Sequence, residues 1–476
     1  MAVSRRTMMV AGGAVIAGGA AIPTARHLSW GGRDFVRPDY DPDYPEAPAG
    51  EESWMNWSGV ERATPQAMRL PASEDELSQL IAGTNGRVRP YGSGHSFTGL
   101  APSEGMMVDV SRLAGLKSLD SATGLATFGA GTRLFQMATE LASAGRALPN
   151  LPDVDVQTLA GSFSTATHGT GETLTALHDH IEAFRIVTAN GDILDVSRGN
   201  HLDLFAAGRV SLGALGVITQ YTLRTVPMFN LRRKVWVERI ETLMEQAEAL
   251  ASQHRNFEFY YFPHTGLAAG ISHDLHEGPV TGKGESEDDS TLEDLKALRD
   301  SMGWSPWLRR KIIGAALPRG VVEDVSDSSY KLLATTRPIK FNEMEYHLPR
   351  ANGLKGLREV IARLEKRKDV FFPMEVRFIA PDDAWLSPFR DGPRLSIAIH
   401  AAVDEPYDYF FSDIEPIHRA NGGRPHWGKH HSLGHADLTA LYPKFGDFLA
   451  LRRELDPAGK LLNPHLAHLF GEDFDD

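Results

Sequence analysis

Arg89-Pro90-Tyr91-Gly92-Ser93-Gly94-His95-Ser96-Phe97 constrains the fold of this chain more than any other stretch. Two glycines separated by one residue let the backbone reach positive φ and approach a ligand closely. Their bare N–H groups can surround an anionic group such as a pyrophosphate. The preceding Gly86-Arg87-Val88-Arg89-Pro90 reads as a short strand, so His95 sits in a glycine bend at a strand end. An ordinary Gly-Ser turn carrying a surface histidine stays open on these residues alone.

The rest of the chain narrows the choice. Its 476 residues exceed one ordinary core, so two or three domains are expected. With 42% hydrophobic and 23% charged residues the composition is that of a soluble protein. A net charge of −13 argues against nucleic acid as a partner. The absence of cysteine excludes disulfides, thiolate metal sites, iron–sulfur clusters and a cysteine nucleophile. Residues 1–30 carry Arg5-Arg6 before an apolar, glycine-rich run, the layout of a twin-arginine export signal. A weak membrane anchor is the alternative. Residues 31–61 read as an irregular leader.

Regular patterning starts at Arg62. Ser73-Glu74-Asp75-Glu76 is a capping box for a short helix. Strands are expected at Met106–Val110 and around Leu125–Gly129. A helix is expected from Thr132, with Leu134, Met137, Ala138 and Leu141 on one face. Ile181–Thr188 and Ile193–Val196 flank Ala189-Asn190-Gly191-Asp192, a hairpin signal. Residues 62–227 thus form an α+β domain. Residues 228–423 repeat the mixture, with strands near Val235–Glu238, Phe257–Tyr261, Asn342–His347, Phe371–Phe378 and Leu395–His400. Helices are expected near Thr242–Ser252, Lys355–Lys366 and Tyr407–Ala420. The acidic stretch 277–295 reads as a mobile loop. Two further glycine-rich segments, Gly161–Gly171 and Ser211–Thr219, suit a phosphate-rich ligand and a flat ring. Each alone is also compatible with plain turns between strands.

In order, Gly92–Phe97, Leu148-Pro149-Asn150, Gly161–Gly171 and Ser211–Thr219 resemble the FAD domain of vanillyl-alcohol-oxidase-type (PCMH-type) flavoproteins. Glu375-Val376-Arg377, Ala384–Pro388, Arg424-Pro425-His426-Trp427-Gly428-Lys429 and Leu455–Lys460 resemble the branch of alditol oxidase and the aldonolactone oxidases. The resemblance implies an α+β chain: a two-part FAD-binding domain, a substrate (cap) domain with a mixed or antiparallel sheet, and a C-terminal segment, 424–476, returning to the flavin. It places covalent FAD on His95. Tyr91, Gly92, Ser93, Gly94, Ser96, Gly161, Ser162, Phe163 and Ser164 would surround pyrophosphate and ring, with Thr158, Ile218 and His426 as further flavin contacts. Asp153 stands where alditol oxidase has a serine touching both flavin and polyol, so an aldono-1,4-lactone is preferred over an open polyol.

Glu375 and Arg377, two apart in an apolar strand, share a face. A structural ion pair would satisfy that spacing, but the resemblance makes them substrate ligands. His400 could be a satisfied core histidine; it matches a substrate-binding one and is the expected base. Lys429 is expected beside flavin and substrate. His426, His430, His431 and His435 raise a metal site as an alternative, to which the resemblance lends nothing. The implied reaction is hydride transfer from a carbinol carbon to flavin N5, with oxygen reduced to hydrogen peroxide, Pro152 being the residue that favours oxygen. A dehydrogenase passing electrons to a quinone or cytochrome, and hence peripheral to a membrane, is the alternative. A carbohydrate-binding protein without chemistry is the rival from another class. The expected location is extracytoplasmic, reached through the twin-arginine export machinery.

Overall fold

A computed structural model describes residues 29–30, 33–40, 52–284, 288–316, 319–335 and 339–474. The first domain begins with a parallel three-stranded sheet whose order is Ala67–Arg69, Met106–Asp109, Val88–Tyr91. Helix Glu74–Ala82 lays Leu77 and Ile81 on it, against Val88, Met106 and Val108. Ser73 caps this helix by accepting from the Glu76 amide at 3.1 Å. The Glu76 carboxylate accepts in turn from the Ala72 amide, one residue before the expected partner.

A five-stranded antiparallel sheet follows, ordered Ile193–Ser197, Ile181–Val187, Val217–Arg224, Leu125–Gly129, Leu116–Asp120. The expected hairpin is its first pair, with Ile193 opposite Val187. Helix Leu134–Ser143 buries the four expected residues, Leu134, Met137, Ala138 and Leu141. The two sheets deliver their glycine segments to one place, because Val88–Tyr91 runs into Gly92 and Val217–Arg224 starts after Gly216. Arg89, 2% exposed, ties that region together. Its guanidinium donates to the carbonyls of Leu100 (2.5 Å), Leu461 (2.6 Å), Gly213 (2.8 Å) and Leu212 (3.1 Å).

The second domain is built on an eight-stranded antiparallel sheet. Its order is Gly320–Ser328, Asn230–Arg239, Leu267–His276, Asn256–Phe262, Met374–Ile379, Arg394–Ala402, Phe341–Pro349, Arg424–Pro425. One face carries Phe257, Phe259, Met344, Tyr346, Leu348, Val376, Phe378, Ile397 and Ile399, all buried. Helices Ile240–Gln253 and Arg350–Leu364 cover it. Gly353 permits the close approach, since a Cβ there would stand 2.7 Å from the Leu395 Cβ.

The other face is polar. Its register sets Glu343 opposite His400, Glu375 opposite Ala398 and Tyr260, and Arg377 opposite Ser396 and Glu258. Directly opposed residues point to the same side of a sheet. This face packs on the first domain: Asn256 Nδ2 donates to Asn150 Oδ1 (3.1 Å) and to the Thr170 carbonyl (2.7 Å).

Three expectations are corrected. The acidic stretch 277–295 is not loop throughout, because helix Asp288–Met302 occupies its second half and helix Pro306–Ala316 follows. Leu295, Leu298 and Met302 recur at helical spacing and pack with Phe262 and Phe371, which the surrounding acidity concealed. Strands Leu267–His276 and Gly320–Ser328 were not anticipated. The leader 31–61 ends early: Trp54–Met55 pairs with Arg62–Ala63, and Asn56 Nδ2 donates to the Ser96 carbonyl at 2.8 Å. Trp54 lines the cleft described below. Residues 1–28 of the expected export signal lie outside the described residues; Trp30 is buried, its indole N–H donating to the Arg299 carbonyl at 2.9 Å.

Replacing Arg89 by Met should keep the bulk and remove one donor from each of four carbonyls. We expect about 3 kcal/mol or more of lost stability, read as a lower urea midpoint of the flavin-loaded protein. An unchanged midpoint would mean those carbonyls find other donors.

Candidate active site

The glycine segments enclose a cleft between them. Of the residues expected around a flavin, Tyr91, Gly92, Ser93, Gly94, His95, Ser96, Thr158, Gly161, Ser164, Ile218 and His426 line it. Six glycines stand among its lining residues. A Cβ on Gly92 would collide with Thr158 Oγ1, and Gly94 (φ 67°) and Gly213 (φ 65°) hold conformations that only glycine adopts freely. Thr158 Oγ1 accepts from the Gly161 amide at 3.2 Å, keeping the 157–165 segment folded against the bend. These features fit a large, flat, phosphate-bearing group such as FAD.

Ser162 and Phe163 depart from the expectation. They are 1% and 0% exposed and turn away from the cleft. Ser162 Oγ donates to the Leu159 carbonyl at 3.1 Å, and Phe163 packs edge-on against Tyr221 at 4.8 Å. The reason is helical: Leu159–Ser164 is a short helix, and these two fall on its inner face.

His95 stacks on Trp57 with ring centroids 5.2 Å apart. Trp57 meets Phe341 edge-on at 5.1 Å, and Phe341 meets His400 at 5.0 Å. The bend and the sheet of the second domain are thereby joined by aromatic rings. Burial, then Lys429 and Arg133 nearby, pushes the His95 imidazolium down to about 4, so its ring is neutral at ordinary pH.

Lys429 also lines the cleft, and its ammonium pairs with Glu343. Glu343 Oε1 stands 3.8 Å from His400 Nε2. His400 Nδ1 lies 2.9 Å from the Pro373 carbonyl, which assigns the proton to Nδ1 and the lone pair to Nε2. Glu343 thus stands between the expected base and the expected cation. The backbone of 426–429 is fixed to the bend, with the Phe97 amide donating to the Gly428 carbonyl (2.7 Å) and Thr98 Oγ1 to that of Trp427 (3.0 Å).

Asp153, expected to touch the flavin, and His400 do not line the cleft, and neither do Glu375 and Arg377. Glu375 and Arg377 form a cluster on the same sheet face, with the Arg377 guanidinium paired to Glu375, to Asp153 at 3.2 Å and to Glu258 at 3.0 Å. Tyr260 Oη bonds both Asp153 Oδ2, at 3.1 Å, and Glu375. Burial pushes Glu375 well above the usual carboxylate range; Arg377 opposes the shift, while Asp153 and Glu258 add to it.

Glu258, Tyr260, Glu343 and Trp57 were missed in the sequence, although Glu258, Tyr260 and Glu343 lie in expected strands with an i, i+2 polar pattern. The histidines suspected of holding a metal are apart in function. His430 Nε2 lies 3.3 Å from Asn342 Oδ1, and both ring nitrogens of His431 are buried without a hydrogen bond. Among the described residues a different trio gathers, His168, Glu345 and His426, with ligand atoms within 4.8 Å of one another. His168 Nε2 lies 3.0 Å from Glu345 Oε1, a contact joining the domains. His426 Nδ1 accepts from the Gly428 amide at 3.0 Å, and burial pushes its imidazolium down to about 3.

Comparison with known proteins agrees with this architecture. A family model described as D-arabinono-1,4-lactone oxidase matches residues 221–469, and one described as FAD binding domain matches 65–197. L-gulono-1,4-lactone dehydrogenase of Mycobacterium tuberculosis is 36% identical over 432 residues, spanning 88% of this chain and 99% of the relative. L-gulonolactone oxidase of Bos taurus is 30% identical over 432 residues, spanning 88% and 98%. Alditol oxidase of a Streptomyces species is 27% identical over 433 residues, spanning 87% and 98%. A solved structure of a solvent-stable cholesterol oxidase shares the fold, with a TM-score of 0.73 at 19% identity over 89% of this chain and 99% of the other. With a glycine-walled cleft in its FAD-binding domain and a polar sheet face beside it, this chain belongs to the D-arabinono-1,4-lactone oxidase family.

Proposed function

We propose that this protein oxidises an alcohol group of a sugar-derived substrate, an aldono-1,4-lactone in preference to an open polyol, with FAD bound covalently through His95. The observation that carries the reading is the convergence of His400 and Lys429 on Glu343, on the sheet face that also holds Glu375 and Arg377. FAD, when bound, supplies the two-electron acceptor for hydride from the carbinol carbon. His400 Nε2 accepts the hydroxyl proton, its ring held by the Pro373 carbonyl. Lys429 supplies positive charge at the cleft wall where negative charge develops. Arg377, with Glu375, orients the substrate's oxygens. A neutral His95 keeps the lone pair that a covalent bond to the flavin ring requires.

Molecular oxygen is the acceptor we favour, on Pro152 beside Asp153, with hydrogen peroxide as product. The name dehydrogenase borne by the mycobacterial relative favours a second reading, in which electrons pass to a quinone or cytochrome at a membrane. Arg5-Arg6 and the apolar run after it support export through the twin-arginine machinery to an extracytoplasmic location.

Acid precipitation tests the covalent bond: the pellet should be yellow and the supernatant colourless, whereas His95→Ala should release its flavin into the supernatant. Yellow supernatant from the unaltered protein would refute the bond to His95. Lys429→Met should lower kcat by about 100-fold or more while the flavin spectrum shows that FAD is still bound; a change confined to KM would place the lysine in ground-state binding alone. Turnover of an aldono-1,4-lactone with oxygen alone should produce one peroxide per substrate. Turnover that proceeds only with an artificial acceptor would establish the dehydrogenase reading instead.

A further inference from the structure

Trp57 lies outside the residues that line the cleft, yet its ring stacks on His95, which lines it. It sits in the turn 56–61, between the paired strands Trp54–Met55 and Arg62–Ala63. The Asn56 amide closes this turn by donating to the Glu61 carbonyl at 3.0 Å, and the Glu61 amide donates back to Asn56 Oδ1 at 3.1 Å. Two further bonds tie the turn to the glycine bend, one on each side of His95. The Trp57 amide donates to the Gly94 carbonyl at 2.7 Å, and Asn56 Nδ2 donates to the Ser96 carbonyl at 2.8 Å. Gly94 permits the approach, since a Cβ there would stand 3.4 Å from the Trp54 ring and 3.5 Å from the Asn56 Cα.

The indole is held as firmly as its backbone. Phe341 meets it edge-on at 5.1 Å and Phe97 at 6.2 Å, and those two phenyl rings stack on each other at 5.9 Å. The imidazole of His95 lies against it at 5.2 Å, the two planes inclined by only 26°. Lys429 and Arg133 act on the charge of that imidazole, but among the described residues no hydrogen bond reaches either of its nitrogens. A ring on a broad χ2 torsion pivots unless something flat lies against it.

We infer that Trp57 is a positioning residue for flavin attachment: its ring keeps the His95 imidazole turned toward the cofactor, while the cleft itself does the binding. The inference rests on the reading of His95 as the covalent attachment point and deepens it.

Attachment exchanges one methyl C–H of the flavin ring and the imidazole N–H of His95 for one C–N bond. Two protons and two electrons leave in total, and dioxygen takes them up as hydrogen peroxide. Such a bond forms only while a ring nitrogen faces the methyl carbon near contact distance, so its rate follows the fraction of time the imidazole is correctly turned. Stacking of one aromatic ring on another shifts a fraction of that kind by up to about tenfold. Phe341 belongs to the second domain's sheet, so the ring that aims His95 is fully braced only once the two domains have docked. Attachment is thereby placed late, after the whole chain has folded.

Full-length protein produced under riboflavin limitation and then given FAD in air tests the role. Binding is read as flavin absorbance per chain, and attachment as flavin fluorescence that stays with the polypeptide on a denaturing gel. Trp57→Leu should bind as much FAD as the unaltered protein and attach it about tenfold more slowly. Trp57→Phe, which keeps a flat ring, should restore most of the rate. Asn56→Ser keeps the indole but removes its tie to the Ser96 carbonyl; it should also slow attachment, and it decides the question where Trp57→Leu does not fold. An unchanged rate in Trp57→Leu, or in Asn56→Ser where the former does not fold, would overturn the inference. Loss of FAD binding by folded Trp57→Leu, or a Trp57→Phe as slow as Trp57→Leu, would do the same. No attachment in the unaltered protein would remove the reading of His95 and this inference with it. Attachment at one rate in every variant would remove the role of Trp57 alone.

Discussion

A sheet that buries charge on one face cannot be stable until something meets that charge. Glu258, Glu343, Glu345, Glu375 and Arg377 all lie on the polar face of the eight-stranded sheet, and all are nearly excluded from water. Their charged partners come partly from the first domain and partly from the C-terminal segment: Asp153 for Arg377 and Lys429 for Glu343. Breaking any such buried pair leaves an uncompensated charge, typically a loss of about 3–5 kcal/mol. Docking of the two domains and assembly of the reacting centre are therefore one event. The apolar face, under its two helices, is an ordinary core; the polar face is stable only as an interface.

That division explains what could be read in the sequence. Elements governed by local rules were legible: the Ser73 cap, the Asn190-Gly191 hairpin, and the helix stripe of Leu134, Met137, Ala138 and Leu141. Glu375 and Arg377 were legible as well, since two charged residues at i, i+2 in an apolar strand ask for a reason. The same reasoning applied to Asn342–His347 would have raised Glu343 and Glu345, and applied to Phe257–Tyr261 it would have raised Glu258 and Tyr260. What it could not supply is register. Only the pairing of Glu343 with His400, and of Tyr260 with Glu375, tells which of these polar residues face one another.

Other misses have different causes. Trp57 lies among prolines, glycines and acids, and nothing local shows that its ring will stack on His95. Helix Asp288–Met302 carries its apolar residues at correct spacing, but net acidity outweighed periodicity in the reading. Ser162 and Phe163 were placed at the ligand because the resemblance puts their segment around pyrophosphate and ring. The segment coils into a helix, so its neighbours Gly161 and Ser164 reach the cleft while these two join the core. A one-dimensional string of suitable residues becomes, once coiled, two faces with different roles.

Glu343 shows how the buried face serves chemistry as well as docking. In the proposed reaction His400 takes a hydroxyl proton and becomes an imidazolium in a nearly dry site, which burial disfavours. A carboxylate 3.8 Å from its Nε2 offsets that penalty. At an effective dielectric near 20, unit charges at about 4 Å attract by roughly 4 kcal/mol, less whatever Lys429 already draws from the same carboxylate. In the proposed reaction Lys429 shares this carboxylate with His400 until the proton moves. After it moves, the carboxylate has two cations beside it, and the positive charge of Lys429 is freer to act at the cleft wall. In that reaction a single glutamate on strand Phe341–Pro349, in contact with both His400 and Lys429, would couple the charge on the proposed base to the charge at the cleft wall.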